Sequence, residues 1–104
     1  MDATELLPDA KLHARVAHDD DDDGLALMLE TAAQDVAFAA AYTLPDTTAE
    51  LPDDLRFAII DQAAMLYDAR GGDTERPVGL SLAASRIVAR YRGVSLGPVD
   101  EEAG

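Results

Sequence analysis

The chain of 104 residues has no cysteine and no tryptophan. Without cysteine there is no disulfide framework, no thiolate chemistry and no Cys-based zinc site. Only five rings are present, Phe38, Phe57, Tyr42, Tyr67 and Tyr91, so a core must come from Ala, Leu, Ile and Val, which suits closely packed helices. No apolar run approaches the roughly 18 residues needed to span a bilayer, and no membrane contact is expected. Met1 to Leu7 carries Asp2 and Glu5 and no base, unlike a secretory leader. The length suits one small domain with a modest core.

Basic residues are scarce as well. Lys and Arg number 8 against 21 Asp and Glu, for a net charge of −13. Such a surface repels a phosphate backbone over most of its area. The imbalance is uneven: residues 1–54 hold 14 acids and two bases, Lys11 and Arg15, whereas residues 55–104 hold 7 acids and six arginines. No acid lies between Arg76 and Val99, where Arg76, Arg86, Arg90 and Arg92 sit. That stretch is the natural positive partner for acidic surface elsewhere.

The most distinctive feature present is a run of five aspartates, Asp19 to Asp23, leading into Gly24 and a strongly amphipathic segment. Leu25, Met28, Leu29, Ala32, Val36 and Ala39 draw one stripe along a helix expected over residues 24–42. A short helix is expected before it over residues 9–17, with Pro8 and Asp9 as start signals. A third starts at Pro52, with Asp53 and Asp54 complementing its dipole, and ends at Gly71-Gly72. Its apolar residues, from Leu55, Ile59, Ala63 and Leu66 to Phe57, Ile60, Ala64 and Tyr67, cover most of its circumference. It is therefore either central or buried against neighbouring molecules. Ser81 is placed to cap a final helix whose Leu80, Ala83, Ala84, Ile87, Val88 and Tyr91 share a face, with Arg86 and Arg90 opposite. There is no internal repeat, and Val94 to Leu96 is at most a weak strand. The expected fold is all-α: a small bundle of three longer or four helices over residues 1–93, with an extended acidic tail over 94–104.

Catalytic and metal chemistry find little support. Asp19, Asp21, Asp23, Gly24 and Glu30 satisfy the pattern of a calcium loop, in which alternate carboxylates and a closing Glu surround one ion. The stripe that begins at Leu25 places the helix inside that loop, and no second loop exists to pair with it. Helix capping and an acidic solvated face are the preferred reading; a calcium-binding protein stays as a rival. His13 and His18, five apart, point about 140° away from each other on a helix and form no metal pair. Ser81, Ser85 and Ser95 lack a nucleophile context, and Gly71-Gly72 lacks the strand and lysine of a phosphate loop. Asp61 and Asp68, seven apart, read as solvated carboxylates. No catalytic residue, cofactor or metal is expected. An acidic DNA mimic is the other rival, although a mimic spreads its acids along a rod rather than bunching five together.

Four features follow one another along the chain: a Leu-containing first helix with Leu12-His-Ala-Arg15-Val16-Ala-His18; an acid-rich stretch and Leu-rich helix, Asp19 to Ala33; a proline-led helix from Pro52 closing on Tyr67-Asp68-Ala69-Arg70; and a terminal helix from Leu82 closing on Tyr91-Arg92. In that order, over about residues 6–94, the chain resembles the head-tail connector (adaptor) proteins of long-tailed bacteriophages and related gene transfer agents. It departs from them in the first motif, which lacks the usual Leu-Arg pair, and in a loop without an aromatic before the last helix. The resemblance implies a non-catalytic virion subunit, assembled in the bacterial cytoplasm, that forms a ring, commonly of twelve copies, beneath the portal protein. Such a ring extends the DNA channel without binding DNA specifically and docks the next tail-side connector. Arg86, Arg90, Tyr91, Arg92, Val94 and Leu96 are then the expected contacts with the portal or a neighbouring subunit.

Overall fold

A computed structural model describes residues 1–70 and 79–91, and every regular element among them is helical. A 3-10 turn, Ala3–Leu6, runs into α1, Leu7–Ala14; α2 is Asp22–Ala40; a second 3-10 turn, Thr48–Glu50, precedes α3, Asp53–Arg70. The last helix, α4, covers residues 82–91. Among the described residues no helix is long and apolar enough to cross a membrane. The loop after Gly71, Arg92, the Val94–Leu96 segment and the acidic tail lie outside the described residues.

The third helix is the axis of the domain. α1 and α2 both pack on it. α4 runs antiparallel to it, because Ser81 meets Gln62 at one end while Tyr91 meets Asp54 at the other. Leu55, Ala58, Ile59, Ile60, Gln62, Ala63 and Ala64 are all buried. The breadth of its apolar surface is therefore consumed inside one chain, by three neighbouring helices, and does not signal a subunit contact. Leu66, read from the sequence as part of that continuous face, is only half-buried.

Alanines Ala3, Ala10, Ala32, Ala33, Ala58, Ala63 and Ala84 are almost wholly inaccessible and lie among Leu6, Leu25, Leu29, Val36, Ile59, Ile87 and Val88. Their small side chains let helices approach closely, so a core with no ring at its centre still fills. Tyr42, Tyr67 and Tyr91 sit at its margin, the hydroxyls of Tyr67 and Tyr91 each meeting an aspartate.

Helix ends differ from the expected ones for a local reason. α1 stops at Ala14 rather than Ala17 because Arg15 adopts left-handed backbone, φ 62° and ψ 42°. Its N–H donates to Leu12 O at 3.2 Å and that of Val16 to Lys11 O at 2.9 Å. α2 stops at Ala40 in the same way: Ala41 has φ 54°, and Tyr42 N donates to Ala37 O at 2.9 Å. Both are Schellman closures built on residues with a Cβ, which cost roughly 1–2 kcal/mol each relative to glycine and leave no glycine in the sequence to announce them.

Candidate functional site

The aspartate run is a folded corner that leads directly into a helix. Helix α2 begins at Asp22, so the segment from Asp22 through Glu30 is helical. Asp21 occupies the N-cap position, yet its side chain makes no cap hydrogen bond. It accepts instead from the Tyr67 hydroxyl at the far end of α3. The expected side-chain cap is thus replaced by a tertiary contact. The first cation at this corner is the protein's own: Lys11 Nζ lies 2.6 Å from Asp19 Oδ1 and 2.8 Å from Asp22 Oδ1. That pairing raises the Lys11 ammonium and lowers the Asp19 carboxyl relative to their ordinary values, the Lys11–Asp19 hydrogen bond being the main cause of each. Among the described residues no group of three or more acidic or imidazole side chains is arranged to hold a metal ion.

His13 and His18 have separate partners. His13 Nε2 is 2.8 Å from Asp61 Oδ1, and its ring meets Phe57 edge-on at 5.6 Å. Asp61 is therefore tied to α1, whereas Asp68 stays exposed. His18 Nδ1 accepts from Asp20 N. One residue not singled out in the sequence carries more of the architecture. Gln62, 2% exposed, bridges Gly79 O and Ser81 N. Ser81 Oγ then accepts from Ala84 N at 3.1 Å and caps α4 as its position implied.

On α4, the expected contact residues separate into two groups. Arg86 is exposed. Arg90 Nη2 reaches Asp54 Oδ2 at 3.1 Å, and the Tyr91 hydroxyl donates to Asp54 Oδ1 at 2.8 Å. Tyr91 also meets Tyr42 edge-on, with ring centroids 5.9 Å apart. Arg90 and Tyr91 thus fasten α4 to the first turn of α3, and Asp54, read from the sequence only as a dipole partner, is the acceptor for both. Arg92, Val94 and Leu96 lie outside the described residues.

This triad has a defined pH signature. Burial, and then the hydrogen bond to Asp54, push the Tyr91 hydroxyl up to about 12. Burial alone would raise the Asp54 carboxyl, but the bonds from Tyr91, Arg90 and Leu55 N outweigh it and hold it below its ordinary value. Because the folded Tyr91 value exceeds the unfolded value of about 10, its contribution to stability is complete below pH ~10 and declines between ~10 and ~12. Asp54 works in the opposite sense: its contribution is present above pH ~4 and is lost as pH falls through its lowered folded value. The tyrosinate absorbance of wild type minus that of Tyr91→Phe should titrate near pH 12. Asp54→Asn should lower that midpoint, leaving the part of the rise that burial causes. A wild-type midpoint already near 10 would mean that the hydroxyl is not held.

The polar features so far are internal fasteners; the surface carries the outward chemistry. Leu12, Leu27, Phe38 and Leu82 are 78%, 67%, 87% and 72% exposed, one or two on each of three helices. Around Leu12, the residues Pro8, Lys11, Arg15, Val16 and Ala17 line an open groove of about 450 Å³. This is a helical unit with an acidic composition and several small exposed apolar patches. Neither a comparison with curated proteins nor one with solved structures gave a match. The family model for phage gp6-like head-tail connector proteins matches residues 4–92, from the first 3-10 turn to just past the end of α4. With nearly the whole helical domain inside that match, the chain belongs to the phage gp6-like head-tail connector family, and its role is that of a structural connector at the head-tail junction of a virion.

Proposed function

We propose that this chain is one subunit of a ring beneath the portal protein, assembled in the bacterial cytoplasm, whose lumen continues the DNA channel and whose far side receives the next connector. Twelve copies would match the symmetry common in the family. The observation that carries the reading is family membership combined with the separation of charge: −13 overall, yet no acid between Arg76 and Val99. An acidic wall repels passing DNA instead of trapping it. The acid-free stretch, with Arg86 exposed on α4 and Arg92 beyond it, supplies the positive face for the portal. Val94 and Leu96 extend that contact in sequence. Arg90 and Tyr91, engaged with Asp54, serve it by holding α4 in place.

Subunits of one strongly acidic sign repel each other, so the isolated chain should sediment as a monomer at low salt and assemble on the portal as template. Arg86→Glu is the direct test, since reversing Arg90 as well would set a Glu against Asp54 and disturb the fold itself. In a ring every copy carries the change, so a modest loss per contact is repeated around the interface. Particles made with Arg86→Glu should have DNA-filled heads without attached tails, while the purified variant keeps its helicity by circular dichroism. Normal infectious particles would remove α4 from the portal contact.

A further inference from the structure

We propose that neighbouring copies join through a knob-and-groove contact in which Phe38 of one chain enters the Leu12 groove of the next. This rests on the ring reading above and adds to it the two surfaces that meet. The outward stripe of α2 consists of Leu27, Thr31, Gln34 and Phe38, at helical spacing and opposite the buried Leu25, Leu29, Ala32 and Val36. Leu27 and Phe38 stand about 16 Å apart along it, three turns of helix. Among the described residues Phe38 is the most exposed of the large apolar side chains. The groove on α1 has apolar walls, Pro8, Leu12, Val16 and Ala17, on the outer side of that helix.

Charge decides which occupant suits the groove. Lys11 at its edge is already balanced by Asp19 and Asp22. Arg15, exposed at the other edge, borders a second depression that it shares with Asp61 and Asp68, and its guanidinium stays accessible from the groove side. No Lys or Arg occurs from Val16 to Leu55, and the α2 stripe is flanked by exposed Asp35. The groove therefore offers an apolar floor with an exposed guanidinium at its edge. The stripe offers an aromatic ring with a carboxylate one turn before it, and the guanidinium can also lie against that ring. Knob and groove lie on different helices, so the contact is heterologous: each copy uses its stripe on one neighbour and its groove on the other. Repeated with a closing rotation, that gives a ring, whereas a self-complementary patch stops at a dimer. Patches this small fall short of the roughly 1,000 Å² of a stable pairwise interface, which keeps the free chain monomeric until copies are arrayed.

The absence of cysteine makes a clean test possible. The full-length single variants Ala17→Cys, at the groove, and Gln34→Cys, one turn before Phe38, both at exposed positions that leave Leu12 and Phe38 in place, are mixed in equal amounts at high concentration and treated with a short bismaleimide. Mass spectrometry then separates the mixed dimer from the two homodimers. The mixed dimer should exceed either homodimer by about tenfold. Adding Phe38→Ala to the Gln34→Cys chain, or Arg15→Glu to the Ala17→Cys chain, should abolish that excess, with the helicity of every variant checked by circular dichroism. A binomial ratio, an excess of Gln34→Cys homodimer, or no dimer at all would each overturn the contact; a binomial ratio is also what a groove reserved for another protein predicts. Antibody labelling of whole particles at the head-tail junction reports on the ring reading independently, so the contact can fail while that reading stands.

Discussion

Replacing Ile59 by Ala is expected to lower the unfolding free energy by roughly 2–5 kcal/mol, the range for truncating a buried aliphatic side chain. Ile59 has no exposed surface and lies on the central helix. The upper half of that range is the expected one, because the core to which Ile59 belongs is rich in alanine. Leu and Met neighbours can swing into a vacated site by changing rotamer, but Ala32, Ala33, Ala58 and Ala63, prominent in this core, have no rotamer to change. The void then closes only if a helix backbone shifts, which a tightly apposed bundle resists. Against a total stability of about 5–15 kcal/mol for a small domain, the loss is a large fraction. Leu66→Ala, on the same helix but half-buried, should cost less than half as much. Reversible urea denaturation at constant m-value checks both. Equal losses at the two positions, or less than about half a kcal/mol at Ile59, would show that α3 is not the axis of the core.

The all-α class and the approximate places of the four helices were legible because each has an apolar stripe of 3.6-residue period or a proline start, and no Val- or Thr-rich alternation competes with it. Helix limits were less legible where the sequence does not carry the usual stop signal. Arg15 and Ala41 take the left-handed conformation that glycine normally marks, so α1 and α2 end two to three residues early. The aspartate run shows a different limit. Its position next to a helix was evident, but five identical carboxylates give no indication of which one meets Lys11 and which meets Tyr67; that depends on how α1 and α3 approach the corner. The same holds for α4. Four arginines in an acid-free stretch stood out, yet that Arg90 is used internally follows only from the antiparallel placement of Asp54 beside it. Family membership was readable from motif order, since the order of short motifs survives where no single motif is diagnostic.

Gln62 had one signal in the sequence, a polar residue placed on an otherwise apolar arc of α3 between Ala58 and Met65, and it leads to the second large effect. Its amide is used at both ends: Oε1 accepts from Ser81 N at 2.6 Å and Nε2 donates to Gly79 O at 3.2 Å. Through Ser81 the bridge continues to Ala84 N, so one side chain of α3 sets where α4 begins. Gln62→Leu should cost about 2–4 kcal/mol, because the buried Ser81 N–H is left without an acceptor and one such orphan alone costs roughly 1–3 kcal/mol. Gln62→Glu separates the hydrogen-bond argument from simple packing. An ionised carboxylate can still accept from Ser81 N, but it has no proton for Gly79 O and is desolvated, whereas the neutral acid can make both bonds. The folded-state pKa of that Glu must therefore lie above its unfolded value of about 4.3. A raised value means that stability is kept below pH ~4.3 and lost as pH rises through the folded value. Relative to wild type at the same pH, Gln62→Glu should be close to neutral at pH 4 and destabilised by at least about 2 kcal/mol at pH 7. Hydrogen exchange gives the location: amides of Ala84 to Val88 should lose protection at pH 7 before those of α2, as expected if α4 opens as a unit. A deficit of the same size at both pH values would mean that the site measures shape alone, and that the bridge to Gly79 and Ser81 contributes nothing to holding α4 in place.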